Sequence, residues 1–319
     1  MPSRRVLVTG AFGNIGSGTL RALLERGDVP VCFDTRSALN QKTAKRFPCE
    51  TVWGDICDEE TIAPALEAVD AVIHLAAMIP PHSEANPRRA RAVNVEGTRK
   101  LLHAIERSGA CRRIVFASSI AVHGIRPEDA EPLQPDTAFA PVDHYSRHKV
   151  ECEQMIRSSG LDWTILRISV CPPISASKGF KDAAASFDMA PDEKLEFCHP
   201  ADIGLAMGNA TASDQTIGKV LLLGGGEDCR FSAYEFISRY LEAAGIGRLP
   251  ISAYTTARTI PLGWVDTRES QALLSYQRHT LDDLLEELKR ELGLKRMAAR
   301  MLAPLLRRRM LQLSPYYDS

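Results

Sequence analysis

Short apolar runs alternate with segments of helical periodicity over the first two hundred residues. The apolar runs predict strands at Arg5–Thr9, Pro30–Asp34, Thr51–Gly54, Ala71–Leu75, Arg113–Ser118 and Asp162–Ile168. Helical spacing of apolar residues appears between them, at Gly18–Arg26, Ile62–Ala68, Ala90–Ser108 and Tyr145–Ser158. Strands that alternate with helices predict right-handed βαβ units, and therefore an α/β fold with a doubly wound parallel sheet.

The pattern changes after about Cys171. Pro172–Glu196 has no clear period and is expected to be a loop-rich segment over a site, whereas Lys219–Gly226 again reads as a strand. Ser232–Ala244 and Leu281–Leu292 predict helices. We therefore predict a large domain at residues 1–170, to which 198–224 returns, a small lobe formed by 171–197 and 225–293, and a tail at 294–319.

Composition excludes several classes of protein. Of the 319 residues 45% are apolar and 25% charged, and the net charge of −1 gives no sign of a nucleic-acid partner. No apolar run is long enough to span a membrane, and the first predicted strand leaves no room for a signal peptide. Eight scattered cysteines without a CxxC pair are typical of free thiols, and we expect a cytoplasmic protein. The histidines show no metal-binding spacing, so no metal site is predicted.

Three spaced glycines follow the first strand directly. Gly10 suits a tight turn, Gly13 allows the backbone to approach a pyrophosphate, and Gly16 allows the following helix to pack closely on the strand. A glycine-rich turn alone is common, but the order strand, loop, helix is the context that a dinucleotide site requires. We predict a dinucleotide-binding loop here.

The choice of dinucleotide depends on the end of the second strand. Asp34 stands eighteen residues after Gly16, where a carboxylate accepts hydrogen bonds from ribose hydroxyls and disfavours a 2′-phosphate. Arg36 is either a solvated loop residue or a guanidinium that holds such a phosphate. The prediction is NAD, with NADP left open.

Tyr145 and Lys149 lie four residues apart and therefore share one face of a predicted helix. A phenol has an ordinary pKa of about 10, and a cation one turn away favours its ionised form, which suits proton transfer. Ser118 and Ser119 end the strand before this helix, at the edge of the sheet where ligands bind. Ser118 is expected to satisfy backbone groups, and Ser119 to hydrogen-bond a substrate oxygen.

The segments TGAFGNIG, WGDICD, VIHLAA, AVNVEGTRKLL, FASSIAVHG, YSRHK and HPADIG resemble, in this order, the extended short-chain dehydrogenase/reductases, the NAD(P)-dependent epimerase/dehydratase family. The resemblance runs to about residue 280 and implies a Rossmann-type sheet with a small C-terminal substrate-binding lobe. It implies that Ser119 supplies the catalytic hydroxyl, that Tyr145 is the general acid/base, and that Lys149 is the partner of Tyr145. It also implies a homodimer formed through a helix pair. The predicted cofactor site comprises Gly10, Phe12, Gly13, Asn14, Ile15, Gly16, Asp34, Arg36, Asp55, Ile56, Leu75, Ala76, Ala77, Asn94, Tyr145 and Lys149.

The chain departs from this family where substrate contacts are expected. His123 replaces a usual tyrosine, and it is either a substrate contact or a packed, hydrogen-bonded histidine. Arg167 is followed three residues later by Val170, where nucleotide-sugar enzymes of the family carry an asparagine that steers the diphosphate. About thirty residues separate Arg167 from His199, which leaves little chain for a large substrate. His82 either reaches the substrate mouth or is solvated.

The C-terminal tail is basic and amphipathic. From Lys289 onward it has eight Lys/Arg and two acidic residues, and Leu294, Met297, Met301 and Leu305 fall near one helical face. Such a helix either docks on the protein itself or a second subunit, which we expect, or lies on an anionic membrane.

The sequence is compatible with three functions. The leading hypothesis is an NAD(P)-dependent oxidoreductase that transfers hydride to or from a secondary alcohol or carbonyl of a small or apolar substrate. One alternative is an NAD-dependent sugar or nucleotide-sugar epimerase or dehydratase. The other is a non-catalytic NAD(P)-binding sensor, which has no need of Ser119, Tyr145 and Lys149.

Overall fold

A seven-stranded parallel sheet forms the centre of the protein. The computed structural model describes residues 3–109, 111–173 and 183–317, so part of the loop-rich segment expected at Pro172–Glu196 lies outside the described residues. The strands are β1 (Arg5–Thr9), β2 (Val29–Asp34), β3 (Glu50–Trp53), β4 (Ala71–His74), β5 (Arg113–Ser119), β6 (Asp162–Ile168), β7 (Lys194–Glu196), β8 (Lys219–Leu223) and β9 (Arg230–Ser232). Their order in the main sheet is β3-β2-β1-β4-β5-β6-β8, and β7 pairs antiparallel with β9.

Helices cover both faces of this sheet. They are α1 (Asn14–Glu25), α2 (Ala38–Ala44), α3 (Glu59–Ile62), α4 (His82–Ala85), α5 (Pro87–Arg91), α6 (Gly97–Ser108), α7 (His144–Arg157), α8 (Pro200–Ala212), α9 (Ala233–Ala243), α10 (Arg268–Leu274), α11 (Leu281–Leu292), α12 (Leu294–Met301) and α13 (Ala303–Leu311). One core joins the sheet to α1 and α8, and a second core joins it to α6 and α7. The predicted doubly wound, Rossmann-type fold is thereby confirmed.

Helices α1 and α8 touch at two glycines. A Cβ on Gly18 would lie 2.5 Å from the Pro200 carbonyl oxygen, and one on Gly204 would lie 2.2 Å from the carbonyl carbon of Gly18. Both positions therefore require glycine, because any side chain would separate the helices. The sequence reading missed α8, whose residues are buried on nearly every side and so lack an amphipathic period.

The long helix predicted at Ala90–Ser108 is wrong in its bounds. It begins at Pro87, with the Asn86 side chain accepting from the Arg89 backbone at 3.2 Å, and residues Ala92–Glu96 form a π-helical turn before α6. Wide turns of this kind commonly mark functional sites. The turn contains Asn94, which is buried.

The small lobe has its own apolar core beside the carboxyl end of β6. It is built mainly from β7, β9, α9 and α11, and it includes Met310 of α13. One side of the tail therefore packs on the small lobe. Among the described helices, none is long and apolar enough to cross a bilayer.

Candidate active site

The glycine loop leads from β1 into α1 with no room for side chains on its inner side. Gly10 has a φ of +67°, and a Cβ there would lie 2.9 Å from the Ala76 nitrogen. A Cβ on Gly16 would lie 2.4 Å from the Gly10 oxygen, whereas one on Gly13 would meet only that oxygen, at 3.3 Å. Gly13 is also the N-cap of α1 and brings no capping side chain. The first-turn N–H groups are thus arranged as an anion site requires.

Asp34 lies at the mouth of this loop, at the end of β2. Its Oδ2 accepts a 2.9 Å hydrogen bond from the Phe12 backbone, and its Oδ1 accepts one of 3.0 Å from Asn40. Arg36 is exposed and lies 5.7 Å from the centre of the Trp53 ring. The carboxylate and the guanidinium that bear on the choice of dinucleotide are therefore both at this edge.

A buried chain of hydrogen bonds fixes the segment after β4. The Thr9 hydroxyl accepts from the Leu75 and Ala76 nitrogens, both at 3.2 Å, and donates to Nδ1 of His74 at 2.7 Å. Nε2 of His74 donates to Thr98 at 2.9 Å, an assignment that follows because the Thr98 hydroxyl itself donates to a backbone carbonyl. Burial lowers the pKa of His74 to about 3, so the imidazole is neutral.

Asn94 clamps the same segment farther along. Its amide accepts from the Met78 nitrogen at 2.7 Å and donates to the Met78 oxygen at 2.9 Å. The predicted cofactor residues Leu75 and Ala76 thus pass beside Gly10, and Ala77 lies between them and the Met78 that Asn94 holds.

The residues expected near the adenine lie after β3. Burial opposes ionisation of Asp55, but hydrogen bonds from the Cys57 backbone and from Arg89, the latter at 2.6 Å, lower its pKa. Ile56 is buried against the start of α6, where a Cβ on Gly97 would lie 2.7 Å from it. Asn14, at the first position of α1, donates to the Pro172 oxygen at 3.1 Å and so ties the glycine loop to the exit of β6.

Ser119, Tyr145 and Lys149 converge at the carboxyl end of β5. Burial raises the pKa of the half-buried Tyr145 phenol above its usual value, and a hydrogen bond with Ser119 acts in the opposite direction. Lys149 is buried, and its Nζ donates to the Ala117 oxygen at 2.6 Å and lies 5.6 Å from the centre of the Tyr145 ring. Burial lowers the pKa of Lys149 to about 8.

The two serines at this strand end have different surroundings. Ser118 is buried and donates to Glu153 at 2.6 Å. Ser119 is half-buried, accepts from the Ala121 nitrogen at 3.2 Å and keeps its hydroxyl beside the phenol. Of these two serines, only Ser119 therefore has a hydroxyl that could hydrogen-bond the same substrate oxygen as Tyr145.

The start of α7 is held from two sides. Asp143 caps it through a 2.6 Å bond from the Ser146 nitrogen. The Glu84 carboxylate accepts from the His144 nitrogen at 3.0 Å and from the Tyr145 nitrogen at 3.1 Å. Sequence reasoning missed Glu84, which stands 61 residues before Tyr145 and carries no motif of its own.

The candidate substrate residues lie in unlike environments. His123 is buried: its Nδ1 donates to the Ala138 oxygen at 3.2 Å, and its Nε2 accepts from Arg167 at 3.2 Å. This geometry favours the packed, hydrogen-bonded alternative. His82 is exposed at the start of α4. Arg167 is buried in an ion pair with Glu153.

Comparison with known proteins identifies the family to which this chain is similar. The model of the NAD dependent epimerase/dehydratase family matches residues 6–172, just over half of the chain. The chain is 34% identical over 167 residues to sterol demethylase protein B of Methylococcus capsulatus, covering 50% of this chain and 49% of that protein. It is 36% identical over 161 residues to UDP-glucose 4-epimerase of Azospirillum brasilense, covering 50% and 45%. It is 33% identical over 179 residues to 3-beta-hydroxysteroid dehydrogenase of Mycolicibacterium neoaurum, covering 53% and 46%.

These matches span about half the length of the curated relatives. Among solved structures, UDP-glucuronic acid 4-epimerase from Bacillus cereus, in complex with UDP-glucuronic acid and NAD, superimposes with a TM-score of 0.76 at 21% identity. The superposition covers 91% of this chain and 99% of that one, so the likeness of fold extends beyond the sequence match into the small lobe.

Proposed function

Because the chain belongs to the NAD dependent epimerase/dehydratase family, as its motifs predicted, we propose that it transfers hydride between NAD and a secondary alcohol or carbonyl of a small or apolar substrate. The observation that carries this proposal is the convergence of Ser119, Tyr145 and Lys149 at the end of β5, on the same edge of the parallel sheet as the glycine loop after β1. Hydride transfer to a carbonyl needs a proton at the oxygen, and a phenol paired with an ammonium supplies one.

The cofactor site fits NAD by its own geometry. Gly10 and Gly16 leave no space for a Cβ, and the uncapped start of α1 would hold the pyrophosphate. Asp34 would accept from the ribose hydroxyls, and this supports NAD over NADP despite the exposed Arg36 nearby. NAD, when bound, accepts or supplies the hydride at its nicotinamide.

The catalytic side chains divide the remaining work. Ser119 orients the substrate oxygen with its hydroxyl, and Tyr145 gives a proton to that oxygen or takes one from it. Lys149 contributes a positive charge, which favours the phenolate form of Tyr145 whenever the lysine is protonated.

Two residues near the end of β6 support a small or apolar substrate, because neither provides a charged or amide group that could bind a diphosphate. The Arg167 guanidinium is paired with Glu153 and is not free to bind a substrate. Val170, which follows β6, is half-buried against the core of the lobe, at the position where nucleotide-sugar enzymes of the family carry an asparagine. Two of the relatives are named for sterol or hydroxysteroid substrates, which are apolar alcohols or ketones. This combination favours a small or apolar alcohol or ketone over a sugar diphosphate.

A second candidate is an epimerase or dehydratase, favoured by the match to UDP-glucose 4-epimerase. The experiment that separates the two measures stoichiometry with purified protein, NAD and a panel of sterols, small secondary alcohols and UDP-sugars. The proposed function predicts one NADH formed for each alcohol oxidised. Isomerised or dehydrated product without net NADH would overturn it. NAD binding without conversion of any substrate would support a cofactor sensor instead.

A further inference from the structure

Helices α12 and α13 have one face docked on the small lobe and the opposite face in water. On the docked side Met310 is buried in the lobe core, and Nε of Arg296 donates to the Ala243 oxygen at 2.8 Å. On the other side Leu294 is 83% exposed, Met297 63% and Met301 82%. Their spacing of three and four residues places these three on one side of α12.

The exposed residues continue past the end of α12. Leu302, between the two helices, is 50% exposed, and Leu305 in α13 is 66% exposed. We call Leu294, Met297, Met301, Leu302 and Leu305 the apolar face. Large apolar side chains concentrated in this way on a surface mark an interaction site.

Exposed cations accompany the apolar face. Lys295 and Arg300 in α12, and Arg308 and Arg309 in α13, are all exposed. Three acidic side chains of neighbouring helices are paired with other cations, Glu286 with Lys289, Asp282 with Arg239 and Glu242 with Arg248. Glu291, at the end of α11, is exposed. Across the described residues no carboxylate forms an ion pair with any of these four cations. The surface is therefore both apolar and positively charged.

We propose that the apolar face and these cations bind an anionic lipid bilayer, with α12 and α13 lying in its interfacial region. Aliphatic side chains on a convex helical surface can enter the acyl boundary without a shaped partner, while flanking cations meet acidic headgroups. The helices have eight and nine residues and cannot cross a bilayer, so they would lie on it.

A second copy of the chain is a poorer occupant of this surface. A two-fold interface brings the same surface of each protomer together, so the cations of one copy would face the cations of the other. Nucleic acid would satisfy the cations but leave Leu294, Met297 and Met301 in water. An anionic bilayer satisfies both sets of side chains.

Flotation of the full-length protein with vesicles tests the proposal. Vesicles of phosphatidylcholine alone are compared with vesicles containing about 30% phosphatidylglycerol, at about 0.05 M and 0.5 M NaCl. One variant combines Leu294→Gln, Met297→Gln and Met301→Gln, and another combines Lys295→Glu and Arg300→Glu. Matched controls are Ile217→Gln with Val29→Gln, and Arg21→Glu with Arg278→Glu, which change exposed residues outside the tail. Circular dichroism and light scattering check the fold and the oligomeric state of each.

The expected result is binding to anionic vesicles that exceeds binding to neutral ones at least tenfold and weakens at high salt. Each tail variant should lose binding at least tenfold, and each control should keep it. The proposal is overturned if the wild type ignores anionic vesicles, or if the controls lose as much as the tail variants. It is also overturned if the tail variants instead dissociate an oligomer or lose an acidic protein partner while vesicle binding is unchanged. The readout is independent of turnover, so the proposed function stands or falls separately.

Discussion

Arg167 donates to both carboxylate oxygens of Glu153 in the protein interior, from Nε at 2.9 Å and from Nη2 at 2.8 Å. Glu153 lies one turn after Lys149 on α7, and Arg167 lies on β6. The pair therefore fastens the helix that carries Tyr145 and Lys149 to the sheet. It also makes the Arg167 guanidinium unavailable for binding the diphosphate of a nucleotide-sugar substrate.

Substitution of Glu153 by Gln should destabilise the protein strongly. The change leaves the Arg167 charge buried with a neutral partner, and breaking a buried pair in this way costs about 3–5 kcal/mol. Urea denaturation gives the free energy of unfolding. The control is Arg107→Ala, which removes a pair with Glu59 whose arginine is 80% exposed and should cost less than about 0.5 kcal/mol. Equal losses in the two variants would show that the pair of Glu153 and Arg167 stabilises the fold no more than an exposed pair does.

Substitution of Glu84 by Gln should slow turnover without weakening cofactor binding. Its carboxylate receives the first N–H groups of α7, so the variant loses a negative charge at a helix N-terminus and loosens the backbone of Tyr145. We expect kcat to fall about three- to tenfold, with a stability loss of about 1 kcal/mol. Steady-state kinetics and NADH titration measure the two effects.

Glu60→Gln is the matched control for Glu84, since Glu60 is an exposed acidic residue in the first turn of α3. It should leave kcat unchanged. An unaltered kcat in Glu84→Gln would exclude a positioning role for Glu84.

The features that could be predicted from sequence are those whose residues lie close together along the chain. The glycine loop needs only Gly10 to Gly16 after a strand, and Tyr145 and Lys149 share one helical turn. For the same reason the strand ends that carry Asp34 and Ser119 were predicted to within a residue. These local patterns also explain why the sheet topology was predicted correctly.

The features that sequence reasoning missed depend on contacts between distant segments. Glu84 meets α7 across 61 residues, and Glu153 meets Arg167 only after α7 packs on β6. Helix α8 is buried on both sides and so has no apolar stripe. The environment of His123 depends on Arg167 and Ala138, which no spacing rule connects to it.

The two directions of the proposed reaction should respond differently to pH. Burial raises the pKa of Tyr145, so its phenol is protonated near neutrality and ready to serve carbonyl reduction, whereas alcohol oxidation needs the rare phenolate. Oxidation should therefore rise with pH, by up to about tenfold per unit, while reduction changes little. Lys149, with a pKa lowered to about 8 by burial, loses its charge above that value, and the rise in oxidation should flatten there.

Profiles of kcat/KM between about pH 6 and pH 9.5 in both directions measure this difference. Lys149→Met should lower oxidation about a hundredfold or more and remove the break near pH 8. Arg147→Gln changes an exposed cation of the same helix and should keep the wild-type profile. An oxidation rate that is flat or falls from pH 6 to pH 8 would contradict the assigned proton transfer.

The most direct test of the central claim is Tyr145→Phe, which removes one oxygen and keeps the ring. Turnover of any substrate found in the panel should fall by at least about a hundredfold, because the phenol carries the proton. The Kd for NADH should stay within about twofold, because the glycine loop and Asp34 are untouched. A variant with wild-type turnover, or one that loses NADH binding together with turnover, would contradict the account.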